Sequence, residues 1–192
     1  MASPAPWEGQ VLQALEANKE LRHSTYYQIA TVSPSGRPSN RTVVFRGFLP
    51  GSKLSFVTDH RSSKIQDLAS NPWTEAAWYL PVTREQFRFS GSAVVVSAST
   101  QEKELQQARD RAWAKMSPPG RQQFFQLAPG HARTQEDLTE DSEASVDSDV
   151  PPDTFDLVFL EVEAVDYVDL VGNTRRQWHV MEGEWMSGEV NP

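Results

Sequence analysis

The chain has 192 residues, a net charge of −8 and no Cys. That length supports one full domain with its own core, and the missing thiols exclude disulfides, thiolate metal sites and a Cys nucleophile while fitting a reducing compartment such as the cytoplasm. The acidic balance argues against nonspecific nucleic-acid or anionic-membrane binding, and no apolar run approaches the roughly 20 residues that span a bilayer.

Trp7, Val11 and Leu15 recur at i, i+4 and i+8 and predict an amphipathic helix over 7–21. The residues before it lack a basic flank and an apolar stretch, so no secretory signal is expected. β-Rich runs follow at 27–32, 41–46 and 53–58, with a turn at 33–36 and a loop at 47–52 between them. In the third run Leu54, Phe56 and Thr58 share a face. A helix at 62–69 opens on Ser62 and Ser63, places Ile65, Leu68 and Ala69 on one side, and ends at Asn71-Pro72. Strands are predicted at 76–80 and 86–96, with Gly91 marking a bulge or sharp bend in the longer one. A helix over 101–116 aligns Leu105, Ala108, Ala112, Trp113 and Met116, and the run from Ser117 to Gly120 stops it. Residues 131–153 are acidic and without apolar periodicity, which predicts a mobile surface loop. Two further strands are predicted at 155–163 and 164–170. Short strands with few helices between them argue for an antiparallel barrel, mainly β with flanking helices, in a single domain over 1–192. The acidity gathers in the loop, which leaves room elsewhere for a cationic pocket and an anionic ligand.

Three polar features interrupt the β pattern. Arg41 and Arg46 bracket the apolar run 42–45 and read either as exposed strand ends or as anion contacts. The stretch 58–64 carries a strand end into a helix start, where Ser62, Ser63 and Lys64 form either a solvated cap or a phosphate site. Gln86 and Arg88 alternate with Phe87 and Phe89; Gln86 is either a surface residue or a partner for a heterocycle that presents both donor and acceptor. The four His residues, His23, His60, His131 and His179, share no metal-ligand spacing, so no metal site is expected.

Taken together, the order and spacing of these features resemble the flavin-binding segment of the pyridoxamine/pyridoxine 5′-phosphate oxidases, a family of FMN-binding split β-barrels. The elements that carry the resemblance are 41–46, Val57-Thr58, the Ser62-Ser63-Lys64 helix start, Asn71-Pro72, Trp78-Tyr79, Glu85-Gln86 and Gly91. The similarity resumes at Val168-Asp169-Leu170, Arg175-Arg176, Trp185 and the closing Val190-Asn191-Pro192. It is closest to a plant and cyanobacterial-type branch that shares the stretch 39–48.

The resemblance implies a homodimer with FMN between its subunits. Arg41 and Lys64 would hold the FMN phosphate. Ser63 stands where the family has Arg, and Arg61 lies near enough in sequence to replace that charge. Thr42, Val43, Val44, Val57 and Thr58 would line the ribityl chain and ring, Gln86 would bond the flavin edge, and Arg175 or its neighbour Arg176 would contact the flavin. Arg46 would meet the phosphate of a small phosphorylated substrate. The implied reaction oxidises pyridoxamine or pyridoxine 5′-phosphate to pyridoxal 5′-phosphate with O₂. Such hydride chemistry belongs to the cofactor, so no side chain is assigned as catalytic. The family's substrate-side residues have no clear counterparts in 101–117 or 173–178. A different FMN oxidoreductase or flavin reductase, or a flavin-binding protein without catalysis, therefore stays open. Trp73, Trp78, Phe124 and Phe125 are aromatics that one barrel need not bury, which suits a dimer; the alternative is a monomer that buries them in its own core.

Overall fold

The structure is a computed structural model and describes residues 4–132 and 148–192. Helix α1 (Glu8–Ala17) precedes strands β1 (Tyr26–Val32), β2 (Pro38–Val44), β3 (Phe48–Leu49) and β4 (Lys53–Asp59). Helix α2 (Ser63–Ser70), β5 (Trp73–Leu80) and β6 (Glu85–Val96) follow, then helices α3 (Lys103–Ala114) and α4 (Pro118–Gln122) and a 3₁₀ turn at Gln123–Phe125. Strands β7 (Phe155–Asp169), β8 (Thr174–Met181) and β9 (Glu184–Val190) complete the chain.

All pairings are antiparallel, in the order β2-β1-β5-β6-β7-β4-β3. The sheet closes where β2 runs out: Arg46 N–H donates to Ser55 O (2.9 Å) and Ser55 N–H to Gly47 O (3.1 Å). Strand β7 makes the barrel a split one. Its first half lies between β6 and β4, and its second half between β6 and β8, from which the β8–β9 hairpin extends the sheet. The switch falls at a register shift between Ser90 and Gly91, where Glu163 is the extra residue on β7. A Cβ at Gly91 would stand 2.1 Å from Glu161 O, so only Gly admits this approach. The bulge read from Gly91 is thus present.

Alternation along the strands builds the core. Tyr27 and Ile29 of β1, Trp78 and Leu80 of β5, and Phe87 and Phe89 of β6 are fully buried, and Trp7 joins them from the N-cap of α1. Each such side chain contributes about 1.5–3 kcal/mol on leaving water. A second aromatic cluster, Trp113, Phe124 and Phe155, packs α3 and the 3₁₀ turn against the start of β7, with ring centroids 4.9–5.8 Å apart.

Several sequence expectations need correction. Helix α1 stops at Ala17 rather than 21. The reason is Asn18, whose amide donates to Ala14 O (2.8 Å) and Thr83 Oγ1 (3.1 Å) while its oxygen accepts from Val82 N–H (2.8 Å), which ties the chain to the β5–β6 turn. The loop expected at 47–52 includes the short strand β3. The two strands expected at 155–163 and 164–170 are one continuous β7, because the bulge bends the strand without breaking it. The Pro-rich run after α3 ends that helix and also starts α4, with Pro at its first positions. Trp78 and Phe124 are buried within this chain's own core, and Phe125 is half-buried; of the four aromatics offered as a dimer surface, Trp73 stays largely exposed. Of the acidic stretch expected to be mobile, 133–147 lie outside the described residues. Its last part is anchored: Trp113 Nε1 donates to Ser148 O (2.9 Å), and buried Arg109 donates to Pro152 O (2.6 Å) and Phe155 O (2.8 Å).

Candidate flavin site

The cationic end of the site is assembled from β2, the β4–α2 connection and the first turn of α2. Strand β4 ends at Asp59, whose carboxylate accepts from the backbone N–H of Arg61 (2.8 Å), its Nε (3.0 Å) and its Nη2 (2.7 Å), folding the chain into a tight turn. Ser62 then caps α2 by backbone conformation alone. Its hydroxyl faces Thr58 Oγ1 (3.3 Å) and accepts from Lys64 Nζ (3.0 Å), which also donates to Thr58 Oγ1 (2.7 Å). Burial pushes the Lys64 ammonium below its ordinary range, and the positive charge of Arg41 adds to that, against the opposing pull of Asp59 and Asp67. The Arg41 guanidinium donates to Thr31 Oγ1 (2.7 Å) and to Ile29 O and Ser39 O (3.3 Å each), and lies 3.5 Å from Asp67.

Of these groups, Thr58, Asp59 and Lys64 line a cleft of about 320 Å³. One side is lined by Thr42, Val43, Val44 and Arg46 from β2 and its continuation, and by Val57, Thr58, Asp59 and Lys64. The opposite wall comes from Met116, Gly120, Gln123, Phe124 and Pro129. Arg46 is exposed at the rim, and partial desolvation lowers its pKa. The cleft therefore offers paired cations and hydroxyl groups at one end and an apolar strip of Val43, Val44, Val57, Met116 and Phe124 beside it. That combination suits a phosphate monoester carrying a flat, apolar body.

The sequence-predicted residues divide into two sets. Thr42, Val43, Val44, Arg46, Val57, Thr58 and Lys64 all line the cleft; Arg41 is not among the lining residues, though its charge acts on Lys64. Ser63 is exposed at the start of α2 and is not among the cleft-lining residues. Arg61 does not serve as a free spare cation: besides Asp59 it donates to Gln126 O (2.9 Å), so it braces the turn against the segment that follows Phe125. The opposite wall, from Met116 to Pro129, escaped sequence reading. It lies some sixty residues from Lys64 and carries no local pattern beyond helix-ending chemistry.

Gln86 and Arg175 lie outside the cleft, on the outward face of the sheet. Gln86 pairs with Val168 of β7, which pairs in turn with Arg175 of β8, so the two share one row across the strands. Arg175 donates from Nε to Asp166 Oδ1 (2.9 Å) and from Nη2 to Oδ2 (2.7 Å), and Arg88 Nη2 reaches the same Oδ2 (2.6 Å). Arg175 and then Arg88 hold the Asp166 carboxyl down at about 2. Arg176 points to the other face, bonding Glu189 Oε1 (2.7 Å) and lying over Trp178. Of the two neighbouring Arg residues, Arg175 is thus the one that shares Gln86's face. Tyr79, which pairs with Gln86, and Tyr26 beside it are exposed along this row, and Trp73 is exposed at the other end of β5, opposite Ser92.

Comparison with known proteins bears on the fold and the family. Residues 4–97 match the model described as the pyridoxamine 5′-phosphate oxidase, FMN-binding domain. A relative from Arabidopsis thaliana, pyridoxine/pyridoxamine 5′-phosphate oxidase 2, is 40% identical over 194 residues, spanning 98% of each chain. Among solved structures, a pyridoxamine 5′-phosphate oxidase-related, FMN-binding protein from Nostoc punctiforme superposes with a TM-score of 0.91 at 38% identity. That match covers 99% of this chain and all of the other. PhzG from Burkholderia lata 383 shares the fold, with a TM-score of 0.75 at 19% identity over 96% of this chain and 90% of its own. The split barrel and the full-length identity together make this chain a member of the pyridoxine/pyridoxamine 5′-phosphate oxidase family.

Proposed function

We propose that this protein is an FMN-dependent oxidase that converts pyridoxamine or pyridoxine 5′-phosphate to pyridoxal 5′-phosphate, with O₂ as electron acceptor and as a cytoplasmic homodimer. The observation that carries the reading is the cleft. Thr58, Lys64 and a further cation at Arg46 border one cavity, large enough for an aromatic ring, and Arg41 adds its positive charge next to Lys64.

In this reading Arg41 and Lys64 bind the FMN phosphate, and Thr42, Val43, Val44, Val57 and Thr58 line the ribityl chain and ring. Ser63, next to Lys64 but outside the cleft lining, would meet the same phosphate only where it projects from the helix start. Bound FMN supplies the hydride acceptor and the route for electrons to O₂. Arg46 orients the substrate through its phosphate, since its planar guanidinium suits bidentate contact. The wall of Met116 and Phe124 excludes water from the reacting face. Gln86 and Arg175 stand on the outward face, so they would meet a flavin seated on a second copy of the chain. A twofold dimer would bring each cleft against the other subunit's Gln86–Arg175 row and cover Tyr26, Trp73 and Tyr79.

A second reading, an FMN oxidoreductase with a different substrate, draws on the composition of the same cleft. Arg46 is the cation on its substrate side, opposite the largely apolar wall of Met116, Phe124 and Pro129. Steady-state assays separate the two. Peroxide release driven by pyridoxamine or pyridoxine 5′-phosphate is the expected result. Flavin reduction by NAD(P)H without turnover of either vitamer would select the second reading.

A further inference from the structure

Next to Arg41 lies a buried polar pair, Thr31 and Asp67. Thr31 of β1 is 1% exposed, and Asp67 of α2 is 5% exposed. Thr31 Oγ1 stands 2.6 Å from Asp67 Oδ2 and 2.7 Å from Arg41 Nη1. A hydroxyl has one proton to give, and a guanidinium only donates. The direction of both bonds follows: Arg41 donates to Thr31, and Thr31 donates to Asp67. Asp67 Oδ2 also lies 3.5 Å from Arg41 Nη2.

We propose that Thr31 and Asp67 are positioning residues, a buried relay that fixes the Arg41 guanidinium beside Lys64 so that the cleft discriminates for a phosphate monoester. The proposal rests on reading the cleft as an FMN phosphate site. Its physical basis is threefold. A long Arg side chain loses substantial rotamer freedom when it is held for a ligand, and the relay imposes that loss before the ligand arrives. Arg41 and Lys64 repel each other, and a buried carboxylate behind Arg41 lets both keep their charge in the same small volume. The relay also joins β1, the strand paired with Arg41's β2, to α2, which carries Lys64, so the spacing of the cations follows from core packing rather than from a surface loop.

Asp67 could instead be a structural tie between α2 and β1, or a negative charge that merely tempers the site. Titration of the full-length protein with FMN and with riboflavin distinguishes these roles, because the two ligands differ only in the phosphate. Thermal unfolding of each variant verifies that it folds. In the wild type FMN binds more tightly than riboflavin by at least about tenfold. Thr31→Val and Asp67→Asn, both close to isosteric, lower FMN affinity by about tenfold and leave riboflavin affinity unchanged; Thr31→Ser restores the wild-type preference. Unaltered FMN preference in Thr31→Val overturns the proposal. So does a parallel loss of both ligands, which is the signature of a structural tie, and so does tighter FMN binding in Asp67→Asn, which makes Asp67 a simple charge. A wild type that does not distinguish FMN from riboflavin removes the phosphate reading of the cleft itself, and the proposal falls with it.

Discussion

The two regions linked to one flavin by resemblance treat their positive charges in opposite ways. In the cleft, Lys64 donates to the hydroxyls of Thr58 and Ser62, and Arg41 to a hydroxyl and backbone carbonyls, with its nearest carboxylate oxygen at 3.5 Å. On the outward face, Arg88 and Arg175 close on the two oxygens of Asp166 at 2.6–2.9 Å. Cations whose closest partners are neutral, with a carboxylate no nearer than 3.5 Å, keep more of their attraction for an incoming anion than cations paired with a carboxylate at 2.6–2.9 Å. The cleft is therefore built to receive charge. The outward row is built to present hydrogen-bonding edges in fixed positions.

That contrast can be broken first at the joint between the regions. Gly91 sits where β7 passes from the β4 side to the β8 side, with Glu161 O too close for any side chain. We expect Gly91→Val to cost about 3 kcal/mol or more and to lower soluble yield sharply, as read by chemical denaturation. Wild-type stability in that variant would mean that the bulge does not hold the two regions in register.

The next effect tests the cleft alone. Arg41→Ala combined with Lys64→Ala should lower FMN affinity at least about tenfold, through loss of charge-assisted contacts worth roughly 1.5–3 kcal/mol each. Riboflavin affinity should hardly move. An unchanged FMN titration curve in the double variant would remove this phosphate site.

The smallest effect tests the outward row. The Asp166 carboxyl is held at about 2, below the ordinary value of about 4. A depressed carboxyl stabilises the fold at pH values above its unfolded pKa and loses that contribution as pH falls through the folded one. Stability should therefore decline between about pH 4 and pH 2 by about 1 kcal/mol from this group, discounted for its partial exposure to solvent. Asp166→Asn should flatten that part of the profile in acid unfolding experiments. An identical profile would show that the Arg pairs contribute nothing measurable.

The two regions also differ in how far the sequence reveals them. The cleft's cationic end is local: a strand, a turn and a helix start within 53–70, with Arg41 on a strand marked by its own apolar neighbours. Period-two alternation and cap residues mark the strand and the helix start, and the family resemblance is what ties them to a phosphate. The outward row depends on β8 and β9, which sequence reading missed as strands. Trp178 is the only side chain buried in that hairpin, so no apolar alternation marks it. The wall from Met116 to Pro129 is hidden for another reason. Its residues reach the cleft because Trp113, Phe124 and Phe155 pack together across some forty residues of sequence. Trp78 and Phe124 were legible as aromatics but not as core, because which face of a barrel lies inward is set by the closed sheet and not by one strand.

The central claim is that the cleft holds FMN and presents it to a phosphorylated vitamer. Its most direct test is the absorption spectrum of the purified, FMN-loaded protein during anaerobic addition of pyridoxamine 5′-phosphate. We expect the flavin band near the visible blue to bleach, and to return with stoichiometric peroxide when O₂ is admitted. A band that stays intact through saturating pyridoxamine and pyridoxine 5′-phosphates would contradict the proposed oxidase function.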